Sequence, residues 1–549
     1  MNHKPHCGVH LALCLIPIIW TNGFAQKERP GSDSYEGLIS LFQEFRVLER
    51  PMLSNGVPDY TAGTMAKVHV KLRDLQTRLS AIDPASWEIE QRVDYELLRA
   101  EMNGLDFWIR VLQPWARDPA FYVLIWNEQS DTPEHEGPTN RAAIEIWTYS
   151  FPLSPTDART LAAQLKIIPL LLDQARLNLT GNARDLWITG TGDIRNQARD
   201  LDELAMRTAD AGTELQNALD KAKSATVSFA AWLEKKAPEK KGPSGIGKEN
   251  YTWHLRNVLL VPFSWEEEVA LLKRELDRAY AMLAIEKHHN RNLSPLKPIA
   301  SPEEFAARTD ASLKKMMSFL EKEEILPVRS YMEPEVRKHM GGFQPEEKRI
   351  FFANVLHREP AVLYSHFTHW FEIARMREEP HPDPLRRDPL LFNIWMTRSE
   401  GLATGMEEML MHAGMYDDNP RARELVWIML AQRCARGLAS LYAHANEINY
   451  DEAREFQIKW TPHEWEHEDQ SLVGFEQQLY LRQPGYGSSY ITGKYLIERL
   501  IADRSRQLGD KFRLKTFFDQ MYGVGIIPVS LIRWQMTGLE DEISNLKEE

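Results

Sequence analysis

DYELLRAEMNGLDFWIRVL, residues 94–112, decides the fold class. Tyr95, Leu98, Met102, Leu105, Ile109 and Leu112 recur at alternating steps of three and four, so they line one face of a helix and would scatter over both faces of a strand. The same spacing covers roughly 36–48, 64–82, 157–177, 199–233, 265–287, 303–323, 361–377, 393–414, 421–445 and 490–508. No series of alternating strands and no repeat of fixed period competes with it. The chain is therefore expected to be all-α, with any sheet small and peripheral. KKAPEKKGPSGIG (235–247) crowds Lys, Pro and Gly, as a linker does. It would separate an N-terminal helical lobe (36–234) from a C-terminal one (248–538), unless the helices form one large domain. EEPHPDPLRRDP (378–389) reads as a loop, because closely spaced prolines oppose a helix.

The bulk numbers fit a globular protein. Of 549 residues 43% are hydrophobic and 26% charged, which is too apolar for disorder. A formal net charge of -13 argues against a nucleic-acid binder, which needs a concentrated basic face. Lys4, the apolar LALCLIPIIW (11–20) and the small residues of NGFA (22–25) read as a secretory signal over 1–25, cleaved near Ala25 or Gln26. The apolar run is about half the roughly 20 residues a membrane span requires. A lipoprotein reading of LALC is disfavoured by Leu13, bulky where a small residue belongs before Cys14. The expected protein is extracytoplasmic, periplasmic or secreted, without stable membrane insertion after signal removal. It would keep only Cys434, a small core residue in AQRCARG.

Two clusters compete for metal chemistry. HEWEHED (463–469) contains His463-Glu464-x-x-His467, the spacing of a zinc-peptidase helix. On a helix starting after Pro462, however, Trp465, Leu472, Glu476 and Leu479 share the apolar side, and both histidines fall opposite. Thr461 and Glu464 would form a capping box, while Glu466, Glu468 and Asp469 crowd the turn. Glu498 is the only downstream ligand at a suitable spacing. This motif is expected to be incidental. In AVLYSHFTHWFEIARM (361–376), by contrast, His366 and His369 fall within the apolar arc, with Thr368 and Arg375 opposite. In EGLATGMEEMLMHAG (400–414), Glu400 and Glu407 share one stripe of an otherwise apolar helix. Buried histidines and carboxylates need partners or a metal. The residues alone leave open a structural His–carboxylate network or a metal centre.

SEGLATGMEEM (399–409), QPGYGSSYITGKYLIERL (483–500), LGDKFRLKTFFDQMYGVGIIP (508–528) and GKENYTWHL (247–255) resemble landmarks of the bacterial "domain of unknown function 885" family, from about Glu36 to Gly538. The resemblance implies a helical zincin architecture related to metallocarboxypeptidases and oligopeptidases. It also implies a zinc ion on two His and one Glu, a Glu general base, and a Tyr that stabilises the oxyanion. The family's His-Glu-x-x-Pro-Gly-His stretch places its second His at His369. Its ligand Glu falls at Glu400, in EGLA, and its Tyr at Tyr490, in PGYGSSY. The His-Glu pair itself is replaced by Leu363-Tyr364, and Pro-Gly by Phe367-Thr368. One ligand and the base are thus missing, which should slow hydrolysis severely. His366 is the candidate replacement ligand, and Glu372 or Glu407 the candidate replacement base.

The helices at 361–376, 393–414 and 490–508 are expected to converge, so that His366, His369, Glu400 and Tyr490 share one interior cavity. The functional expectation is an exported metallopeptidase-like protein acting on or binding peptides. It is either a zinc hydrolase with a rearranged site or a degenerate peptide-binding relative. A non-catalytic helical scaffold or partner-binding protein is the alternative. No nucleophile elbow is present, and GIGKEN is too short for a phosphate loop.

Overall fold

The 94–112 stretch is helical throughout. A helix over Ile89–Phe107 runs into a π-helical turn at Trp108–Leu112, and it ends where Gln113 adopts a left-handed conformation ahead of Pro114. The computed structural model describes residues 34–54, 56–130, 140–388, 390, 392, 396–467 and 471–546. Among them lie 24 α-helical segments and only two two-stranded sheets. Leu53–Ser54 pairs antiparallel with Val57–Pro58, and Ile125–Trp126 pairs parallel with Ile144–Glu145. The all-α expectation holds. The signal segment expected at 1–25 lies outside the described residues. Among the described residues no helix is long and apolar enough to cross a membrane.

Helices expected as single runs break where local chemistry interrupts the backbone bonds. The 157–177 run divides into Pro155–Leu165 and Ile167–Asn178, because Pro169 has no N–H for the Leu165 carbonyl. The 199–233 run divides into Arg184–Arg207 and Thr213–Lys236, around Gly212 at φ 101°. The 361–377 run divides at Phe367, whose N–H donates to the Tyr364 carbonyl at 3.0 Å, in a turn tighter than an α-helix. The proline-rich 378–389 segment is not all loop: Pro384–Arg387 forms one helical turn, with proline at the position where its missing N–H costs nothing. Arg386 in that turn is buried and donates to Asp94 at 2.6 Å.

One continuous apolar core runs from Leu38 to Leu546. The 235–247 segment lies against this body. The Ser244 hydroxyl accepts from the Asp185 N–H at 2.8 Å, and the Gly247 N–H donates to the His444 carbonyl at 2.8 Å. The Ala422–His444 helix passes through the middle and is buried along nearly its whole length. A helix apolar on all sides belongs in a protein interior. Arg433 and Arg436, the buried charged residues on this one, must therefore find partners inside.

Candidate metal centre

The short helices Pro360–His366 and Thr368–Glu378 meet at Phe367, which leaves His366 ending one and His369 in the first turn of the other. Glu400 closes a π-helical turn, Met396–Glu400, that leads into the Gly401–His412 helix. This helix crosses Tyr486–Leu508 with main chain against main chain. A Cβ on Gly401 would overlap the Cα and carbonyl carbon of Gly493, and one on Gly493 would overlap the Thr397 carbonyl. Tyr490 and Tyr486 lie one and two turns before Gly493 and so face the Glu400 end of that crossing. The Tyr486 hydroxyl donates to Glu400 Oε1 at 2.8 Å.

His366, His369 and Glu400 are all buried, and each offers a ligand atom within 4.8 Å of the others. The group could hold a metal ion. Two neutral imidazoles and a carboxylate form a common zinc donor set. Glu400 supplies a test of fit. Its Oε1 is taken by Tyr486, whereas Oε2 is buried, makes no well-formed hydrogen bond among the described residues, and faces His366 Nε2 at 3.4 Å. A buried carboxylate oxygen so weakly satisfied is costly, and a cation beside it removes that cost. The donors present therefore fit a metal.

The far side of His366 is held as well. Its Nδ1 lies 2.9 Å from Glu407 Oε1 and 3.1 Å from Arg433 Nη2, and Arg433 also reaches both Glu407 oxygens at 2.6 and 3.1 Å. Two tautomers satisfy this triangle. With the proton on Nδ1, donated to Glu407, Nε2 presents its lone pair toward Glu400. With the proton on Nε2, Nδ1 accepts from Arg433. A cation between Nε2 and Oε2 selects the first, in which a carboxylate orients a ligand histidine. Burial, reinforced by the Arg433 charge, pushes the His366 pKa down to about 4 against the pull of Glu407. The ring is neutral at ordinary pH, as a ligand must be. Tyr490 stacks on His366 with ring centroids 6.1 Å apart, and the Arg436 guanidinium sits 4.0 Å above the Tyr490 ring. His366, His369, Glu400 and Tyr490 thus meet in one interior region, with Glu407 one layer behind.

Glu372 lies one turn after His369, yet its carboxylate is engaged. Arg398 Nη1 pairs with Oε1 at 2.5 Å, and the Ser399 hydroxyl donates to Oε2 at 2.5 Å. Burial pushes its pKa up and Arg398 opposes that shift. Thr368, expected on a polar face, is buried and donates to the Ser365 carbonyl, because the break at Phe367 turns it inward. Sequence reasoning missed Arg433, Arg436 and Tyr486. The only signal was two arginines three apart on an apolar helix, in AQRCARG, and a second tyrosine in PGYGSSY. Cys434, between the arginines, is buried in the core.

Residues 463–467 do not start an α-helix, and Glu468 and Asp469 lie outside the described residues. Pro462–Glu464 is a 3-10 turn with His463 left-handed at φ 71°, the next helix is Ser471–Arg482, and His463 and His467 are exposed. The capping box is absent too. The Thr461 hydroxyl bonds the Gln457 carbonyl and Glu466 Oε2, both at 2.9 Å. Glu466, expected to crowd a solvated turn, is instead buried. It accepts from Gln432 at 2.9 Å and Gln457 at 3.0 Å, and both amides also reach Glu476, the partner of Arg436.

A family model described as "Bacterial protein of unknown function (DUF885)" matches residues 48–348 and 369–536. The chain belongs to this family. The DUF885 match is interrupted over 349–368, the segment that carries Leu363, Tyr364 and His366, and it resumes at His369. No curated protein matches the chain. Two solved structures share its fold. One is "a putative lipoprotein of unknown function from Shewanella oneidensis", with TM-score 0.68 and 15% identity over 92% of this chain and 99% of that one. The other, "the putative lipoprotein from Colwellia psychrerythraea", has TM-score 0.59 and 14% identity over 94% and 99%.

Proposed function

We propose that this DUF885 protein is an exported, zinc-binding relative of the helical metallopeptidases that holds peptides and does not cleave them efficiently. Glu400 Oε2 carries the reading: it is a buried carboxylate oxygen with no well-formed hydrogen bond, facing His366 Nε2 at 3.4 Å within a cluster of two histidines. Zinc, when bound, supplies Lewis-acid polarisation of a carbonyl oxygen. His366, His369 and Glu400 would hold it, and the Tyr490 ring, fixed between His366 and Arg436, would set one wall for the peptide. A general base needs a carboxylate free to take a proton. Glu407 is committed to Arg433 and His366, and Glu372 to Arg398 and Ser399, so neither replaces the base that Tyr364 displaces. Export is supported by the signal-like N-terminus and by the description of both fold relatives as lipoproteins, which also returns Cys14 to consideration as a lipid attachment point.

Metal analysis with peptide-cleavage assays tests this. About one zinc per chain is expected in the wild type, with negligible hydrolysis. Leu363→His with Tyr364→Glu should bind zinc more tightly and gain hydrolysis. Wild-type protein free of zinc after zinc loading would end the metal reading, and efficient cleavage by the wild type would end the non-cleaving one.

A further inference from the structure

Beside the candidate ligand Glu400 lies a set of buried donors without a well-formed hydrogen bond among the described residues. Arg398, two residues before Glu400, is fully buried. Its Nη1 pairs with Glu372, but among the described residues Nε and Nη2 have no hydrogen-bond acceptor. The Tyr522 hydroxyl is buried without a partner, and so is Arg375 Nη1. These groups surround one ring: the Arg398 and Arg375 guanidinium carbons lie 5.7 and 5.3 Å from the Tyr522 centroid. Among the described residues Glu372 pairs with Nη1 alone of this set, and its second oxygen accepts from Ser399. The rim reaches solvent through Arg375, whose side chain is 17% exposed, and Glu379, at 34%.

Unsatisfied guanidinium N–H groups are among the costliest donors to bury, and a carboxylate is the acceptor whose planar pair of oxygens matches them. We propose that Arg398, with Arg375 and the Tyr522 hydroxyl, is a carboxylate-recognising subsite adjoining the metal centre, which takes a carboxylate of the bound peptide. The inference rests on the peptide-binding reading and sharpens it. A peptide carbonyl would lie toward His366 and His369 while a carboxylate of the same molecule is held by Arg398. The carboxylate could be the chain terminus or an acidic side chain.

Calorimetry with short alanine peptides on zinc-loaded protein distinguishes these sources. The peptides carry a free C-terminus, a C-terminal amide, or a C-terminal amide with one internal Glu. The free-terminus peptide should bind at least about tenfold more tightly than the plain amide, which corresponds to about 1.4 kcal/mol. Recovery by the Glu-containing amide would assign the subsite to acidic side chains, and no recovery would assign it to the terminus. Arg398→Met should erase the preference. Because that change strands Glu372, Tyr522→Phe is the second variant: it removes a hydroxyl that bonds nothing among the described residues, so it should leave melting unchanged or raised while it weakens only carboxylate-bearing peptides. Repeating the series on metal-free His369→Ala keeps the subsite readable if zinc binding fails. A protein that binds no peptide but is stabilised against heat by succinate, with Tyr522→Phe abolishing the effect, would fail the peptide reading and keep the subsite. Equal affinity for free and amidated peptides, or no response to succinate where no peptide binds, overturns it.

Discussion

Glu407 Oε1 stands 2.9 Å from His366 Nδ1, on the side of the ring away from Glu400, and shares Arg433 with it. This carboxylate orients a candidate metal ligand and neutralises a buried cation at once. Glu407→Gln should therefore cost about 3–5 kcal/mol in denaturant unfolding, as expected when a buried ion pair loses one partner. It should also weaken zinc binding about 10–100-fold by calorimetry, the range for outer partners of metal ligands. Unchanged zinc affinity would show that Glu407 serves Arg433 alone.

His369→Ala and His463→Ala separate the two histidine clusters. His369 is buried beside Glu400, whereas His463 is exposed on a turn. His369→Ala should abolish bound zinc by metal analysis. His463→Ala should retain it and shift stability by no more than about 0.5 kcal/mol, as ordinary surface changes do. The reverse pattern would move the site to 463–467.

Gly493→Ala tests how the Glu400 side is positioned. The added methyl must displace the Thr397 carbonyl, which is rigid main chain. Overpacking of this kind costs about 1–3 kcal/mol. Zinc affinity should fall with stability, because the shift carries Glu400 away from Tyr486. Loss of stability with full zinc affinity would show that the crossing does not set the ligand geometry.

Glu466 predicts a pH dependence. Burial first, and then the charge of Glu476, push its pKa from 4.5 up to about 7, while bonds from Gln432, Gln457 and Thr461 pull the other way. The folded state therefore holds a proton that the unfolded chain releases above about 4.5. This contribution to stability is complete below that pH, declines as pH rises, and is gone above about 7. Glu466→Gln, which mimics the protonated acid, should flatten that part of the stability profile in melts between pH 4.5 and 7. An unaltered slope would mean that Glu466 stays ionised.

The sequence was informative where periodicity and burial agree. Glu400 and Glu407 on an apolar stripe, and His366 and His369 on a buried face, could be placed from spacing alone. Their partners could not. Arg433 and Arg436 look like ordinary helix surface residues until the Ala422–His444 helix is known to be buried on every side. Glu466 looked solvated because the turn holding it was read as helix, and left-handed residues at 463 and 464 carry no glycine to announce them. The break at Phe367 has no proline or glycine either. It is set by the tertiary packing that brings both histidines toward Glu400.

The Gly401–Gly493 crossing divides the centre into a fixed jaw and an editable one. Glu400, Tyr486 and Tyr490 sit at separations governed by the hard radii of touching main-chain atoms, so changes elsewhere cannot easily move them. The 360–366 helix that carries Leu363, Tyr364 and His366 is bound by no such seam. The family match lapses over that helix and resumes at His369. A lineage could thus rewrite the 360–366 segment while inheriting the opposite half of the cluster intact. That asymmetry gives a mechanical reason for the Glu400 half of this helical framework to outlast changes in the 360–366 helix.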